Sequence, residues 1–148
     1  DFRCEDDIPE WGFKFHMNDV NATIGLHNIK YIDDVIKKHK DNASFYDRHL
    51  KNVDGVQLLQ RESDYDSSFW IYTMRVRHRD AFMNSMKKHN IMASRVHERN
   101  DKHSCVSKYK TVLPNLEEIV QDMVCIPVGW WVSPIERQYI VDCIKRGW

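Results

Sequence analysis

Two stretches of this 148-residue chain carry side chains suited to chemistry. The first is Gly12-Phe13-Lys14-Phe15-His16-Met17-Asn18. In an extended segment Lys14 and His16 share one parity and Phe13 and Phe15 the other. Asn18 is a good N-cap residue for a following helix. A loop running into a helix N-terminus offers unpaired N–H groups and a favourable dipole to an anion, so this segment is read as bordering a phosphate-bearing ligand. The second stretch is His97-Glu98-Arg99-Asn100-Asp101-Lys102-His103-Ser104-Cys105, just beyond an expected strand end, where ligand residues gather. It reads either as a binding loop for a polar, charged substrate or as a solvated loop. A metal centre on His97, His103 and Cys105 fits no zinc spacing and lacks a second Cys–His cluster. Cys105 paired with His97 or His103 as nucleophile and base has no supporting local pattern. Trp130-Trp131 could stack on a sugar or base, or fill an interface. The glycines are isolated, which excludes a Gly-rich phosphate loop.

Lys plus Arg and Asp plus Glu are both 22, so the overall charge makes no case for nucleic acid or a membrane surface. Its distribution is uneven: Arg75–Lys110 holds ten basic residues and three acids, while Asp1–Glu10 is acidic. A solvated basic face and a basic cleft for an acidic ligand both fit. No run is long and apolar enough to span a bilayer, and no secretory pattern opens the chain. The chain starts without Met, in an acidic run, and is expected to be a piece of something longer. Four scattered cysteines without CxxC fit reduced thiols and a cytoplasmic location.

The elements that would position these groups follow from periodicity. Asn18 is expected to cap a helix to about Leu26–His27, with Gly25 marking a bend or close packing. A long helix follows, its apolar positions running from Ile29 through Ile32, Ala43, Tyr46 and Leu50 to Val53 and stopping at Asp54-Gly55. Strands are expected over 56–60, 69–76 (central and covered on both faces), 91–96 and 124–127. Shorter helices are expected from Asp80 to about Asn90, from a capping box at Asn115/Glu118, and from Ser133-Pro134-Ile135-Glu136. The fold class is α/β (α+β): a small, mainly antiparallel sheet packed with helices and one long N-terminal helix. That helix outreaches so small a sheet, so another domain or subunit is expected to cover part of it.

Residues 12–26 resemble the glycine–aromatic segment and helix start of the DegT/DnrJ-type nucleotide-sugar aminotransferases. The resemblance continues through Ile32-Asp33, Lys37-Lys38, Ala43 and Tyr46 of the long helix, Ser68–Val76, Arg79-Asp80-Ala81, Asn90–His97, Val124–Val128 and the helix from Ser133. It implies the small C-terminal domain (18–148) of a fold type I enzyme dependent on pyridoxal 5'-phosphate (PLP), preceded by an extended lead-in and cofactor-facing loop (1–17). It further implies that the large domain, with the lysine that carries the cofactor, lies outside this chain. Lys14 is in the wrong segment for that lysine, and no catalytic residue is expected here. By resemblance, Lys14 and His16 reach the cofactor phosphate of a partner subunit, the position of His16 being usually Asn or Arg. His97 and Arg99 approach the sugar-nucleotide. Glu98–His103 departs from the family's usual tyrosine–proline run. The whole enzyme would be a cytoplasmic homodimer moving an amino group from an amino-acid donor to a keto-sugar nucleotide, in amino-sugar, lipopolysaccharide or O-antigen synthesis. The chain alone would be inactive and would bind no PLP. Alternatives are a non-catalytic dimerisation module and a fragment of a related sugar dehydratase.

Overall fold

The structure, a computed structural model, describes residues 6–62, 64–96 and 98–148. His97 and the first five residues of the expected lead-in lie outside the described residues. Asn18 caps α1 (Asp19–Asn28), its Oδ1 accepting from the Asn21 N–H at 2.9 Å. A 3-10 turn over Ile29–Tyr31 joins α1 to α2 (Ile32–Leu50). The bend expected at Gly25 thus falls at 29–31, and Gly25 is ordinary helix. On α2 the spacing 39, 42/43, 46, 50 turns one stripe inward: Ala43, Tyr46 and Leu50 are fully buried. The first turn of α2 is exposed.

Helix α2 ends at Leu50 rather than at Gly55. Gly55 instead takes a left-handed φ of +78° at the turn onto β1 (Val56–Leu58), where a Cβ would sit 3.1 Å from the Trp148 ring. Strand β1 pairs antiparallel with β2 (Tyr72–Val76), Gln57 facing Arg75. On its other side β2 pairs antiparallel with β3 (Met123–Ile126), Thr73 facing Cys125. Strand β2 is therefore central, as expected, but begins three residues late. Phe69 has φ +51°, which breaks extended backbone, and Trp70 is exposed. The two faces of β2 differ. Tyr72, Met74 and Val76 are buried on one, while Thr73 and Arg75 lie on the other.

The buried face of the sheet shares one core with α2, α3 (Arg79–Lys88) and α5 (Pro134–Lys145). Helix α3 follows His78 at φ +54°, which offers no side-chain cap, so Asp80 is a first-turn residue and not the cap. At its far end Asn90 is left-handed, φ +57°. The Asn90 N–H donates to Lys87 O at 3.0 Å and the Ile91 N–H to Met86 O at 2.9 Å, a Schellman closure with Ile91 and Met86 both buried. The strand expected over 91–96 reduces to one bridge, Ser94 with Cys125, because Ile91 is spent closing α3. On the opposite face of the sheet lies α4 (Pro114–Asp122). It starts one residue before the expected Asn115 cap, with Pro114 in its first turn. Arg75 ties it down, donating from Nε to Asp122 at 2.8 Å and from Nη2 to Glu118 at 2.7 Å. The Ser133 capping box of α5 forms as expected, with reciprocal bonds of 2.8 and 3.2 Å to Glu136.

Candidate functional site

Residues 11–17 form no helix or strand and are exposed, so Lys14 and His16 face outward with Phe13 and Phe15. The two phenylalanine rings lie 6.0 Å apart. The end of the segment is fixed to α1, because Asn21 Nδ2 donates to the His16 carbonyl at 3.1 Å. Asn18 and Asn21 thereby set where His16 leaves the helix start. Lys14 and His16 present a point charge and an imidazole to anything seated against that end.

The 98–110 stretch is less open than a bare loop. It contains 3-10 turns over Asn100–Lys102 and Ser104–Tyr109. Arg99 is paired inside it: Nε and Nη2 both donate to Asp101 at 2.6 Å. This hydrogen bond holds the Arg99 guanidinium above, and the Asp101 carboxyl below, its ordinary range. The bidentate fork uses the Nε–Nη2 edge of Arg99. Lys102 lies 3.8 Å and Arg95 3.6 Å from Glu98. The basic stretch from Arg75 to Lys110 is therefore largely compensated by carboxylates. Arg77 pairs with Asp54 and Arg79 with Asp80, so it forms no single basic cleft. Among the described residues no group of His, Cys, Asp and Glu could hold a metal ion.

The structure adds a contact that periodicity did not reveal. Asp7 accepts from the Ser104 N–H at 2.8 Å and from the Ser104 hydroxyl, and the Cys105 N–H donates to the Ile8 carbonyl at 3.1 Å. The Ser104 hydroxyl and amide hold the Asp7 carboxyl below the usual carboxylate range. These bonds join the lead-in to the loop that follows position 97. Clefts of about 730 and 490 Å³ lie elsewhere, beside Gly55–Gln57 and between Met92, Trp131 and Tyr139.

No lysine of the chain is buried, and Lys40, one of the less exposed, is held at 2.6 Å by Asp66. Among the described residues no helix is long and apolar enough to cross a membrane.

Comparison with known proteins places the fold among sugar aminotransferases. The crystal structure of the sugar aminotransferase CalS13 from Micromonospora echinospora is 42% identical with a TM-score of 0.86, over 94% of this chain and 38% of that one. AtS13 from Actinomadura melliaura is 44% identical with a TM-score of 0.85, over 99% of this chain and 39% of that one. The dTDP-4-amino-4,6-dideoxy-D-glucose transaminase of Shigella dysenteriae is 24% identical over 96% of this chain and 41% of its own length. The chain thus spans about two fifths of these relatives. The family model of the DegT/DnrJ/EryC1/StrS aminotransferases matches residues 3–145, and the chain belongs to that family.

Proposed function

We propose that the chain is the C-terminal small domain (18–148), with its lead-in (1–17), of a PLP-dependent aminotransferase acting on a keto-sugar nucleotide. The observation that carries this is the exposed, outward-facing lead-in on a chain spanning two fifths of its relatives. When bound, PLP supplies an electron sink for moving an amino group between an amino-acid donor and the sugar. Lys14 and His16 hold the cofactor phosphate, Lys14 by charge and His16 by an N–H, at a site that a partner subunit completes. Asp101 keeps Arg99 oriented so that its remaining donors meet the diphosphate of the nucleotide, with His97 beside the sugar. The homodimer and the cytoplasmic location belong to the same reading. The lysine that joins the cofactor lies in the rest of the enzyme.

In the enzyme carrying this chain, Lys14→Ala and His16→Ala are expected to speed PLP loss on dialysis, read by visible absorbance. Arg99→Ala is expected to raise KM for the nucleotide sugar with cofactor retention unchanged. Unaltered retention in both lead-in variants would remove their assigned role. The exposed apolar lead-in and α1 also favour a second reading, a non-catalytic dimerisation module. Sedimentation of the dilute chain discriminates, since a strict monomer counts against it.

A further inference from the structure

Besides the Asn21–His16 bond, a small cluster far away in sequence joins the described lead-in to the domain. Asp7 Oδ1 accepts from the Ser104 N–H, Oδ2 accepts from the Ser104 hydroxyl, and the Cys105 N–H donates to Ile8 O. His103 Nδ1 lies 3.9 Å from Asp7 Oδ1, and it is buried with no hydrogen-bond partner among the described residues. Pro9 follows directly and stiffens the backbone leading away. Each side of this cluster runs into candidate site residues: Lys14 and His16 a few positions after Asp7, Arg99 a few positions before Ser104. At the other end, Asn21 fixes the His16 carbonyl to α1. The exposed segment between is thus held at both ends.

We propose that Asp7 is a positioning residue. Its carboxylate clasps Ser104, with the Ile8–Cys105 bond as a second point, and so holds the phosphate-facing lead-in and the substrate-facing loop as one unit. What those two segments touch rests on the proposed function; the clasp itself does not. A loop–loop tie of this kind acts on catalysis through geometry, since small misplacements of binding groups lower rates strongly.

Amide hydrogen exchange on the full chain tests the clasp. Asp7→Ala is expected to speed exchange at Ser104 and Cys105 by about tenfold, with the core amides of Met74 and Val124 unmoved. Ser104→Ala, which keeps the N–H and loses the hydroxyl, should fall between. Because Asp7 is exposed, the core amides report whether the variant folds. Unchanged exchange at 104 and 105 would overturn the clasp. In the enzyme carrying this chain, Asp7→Ala is expected to raise KM for the nucleotide sugar by about fivefold and to speed PLP loss, with a smaller effect on kcat. Faster exchange with KM and PLP retention unchanged would overturn the positioning role. If the unaltered enzyme failed to transaminate any keto-sugar nucleotide, the functional reading would fail alone, and the exchange arm would still decide the clasp.

Discussion

Asn42 sits on the apolar stripe of α2, where periodicity calls for an apolar residue. Its side chain is buried and works in both directions. Nδ2 donates toward the carbonyls of Val128, Gly129 and Val132 at 3.1 to 3.2 Å, and Oδ1 accepts from Arg137 Nη1 at 3.0 Å. The turn between β3 and α5 carries carbonyls that no regular element satisfies, and one amide supplies them. Asn42→Ala should cost about 1–3 kcal/mol, because the Val128 and Val132 carbonyls and Arg137 lose a partner while Gly129 O keeps the Val132 N–H. Asn42→Asp should be no better, since a carboxylate presents no donor to those carbonyls. Urea unfolding midpoints at fixed m-value check both, and a cost within experimental error would contradict the reading. A polar residue on an apolar stripe was the available signal; its partners, 86 to 95 positions away, were not legible. Arg99 teaches the same lesson. Its type suits a diphosphate, but its bidentate pairing with Asp101 is a matter of loop geometry that composition does not encode.

At the scale of elements, strong local chemistry was legible and tertiary adjustments were not. Ser133-Pro134-Ile135-Glu136 dictates a helix start by itself, and α5 starts there. Strand β2 was legible as central but not in its extent, because the left-handed Phe69 shortens it. The segment 91–96 has strand composition, yet Ile91 closes α3 and only Ser94 pairs. Helix α4 begins at Pro114 because proline is well suited to the first helical turn, ahead of the Asn115 signal. The capping box gives a pH prediction. The Ser133 hydroxyl and amide hold the Glu136 carboxyl below the usual glutamate range. Since the folded value is the lower one, the contribution is complete above about pH 4.3 and is lost as pH falls through the folded value. Glu136→Gln should therefore lower the urea midpoint at pH 7, and the gap to the unaltered chain should close well below about pH 4. A gap that stayed constant across that range would contradict the assignment. Ser133→Ala should cost about 1 kcal/mol at neutral pH.

For the whole molecule, the largest departure from a self-sufficient domain among the described residues is the stretch 11–30. Phe13, Phe15, Met17, Val20, Ile24, Leu26 and Ile29 are all exposed, and α1 buries none of its residues. Val20, Ala22, Ile24 and Leu26 spread around α1 instead of forming one stripe, the pattern of a helix covered on most sides. The chain alone should therefore self-associate with concentration. Replacing Val20, Ile24 and Leu26 together by Glu should give a monomer in sedimentation with the near-ultraviolet circular dichroism of the core retained. A cover was expected over the long helix from its length against so small a sheet, whereas this exposed apolar stretch lies ahead of α2, on 13–29. In the proposed function this chain supplies phosphate-side and substrate-side groups, and the cofactor's lysine lies elsewhere in the enzyme. Borohydride reduction of the PLP-loaded enzyme carrying this chain, followed by peptide mass spectrometry, decides that division. The phosphopyridoxyl mark is expected on a lysine outside this chain and on none from Lys14 to Lys145; a stoichiometric mark on any lysine within it would overturn the proposal.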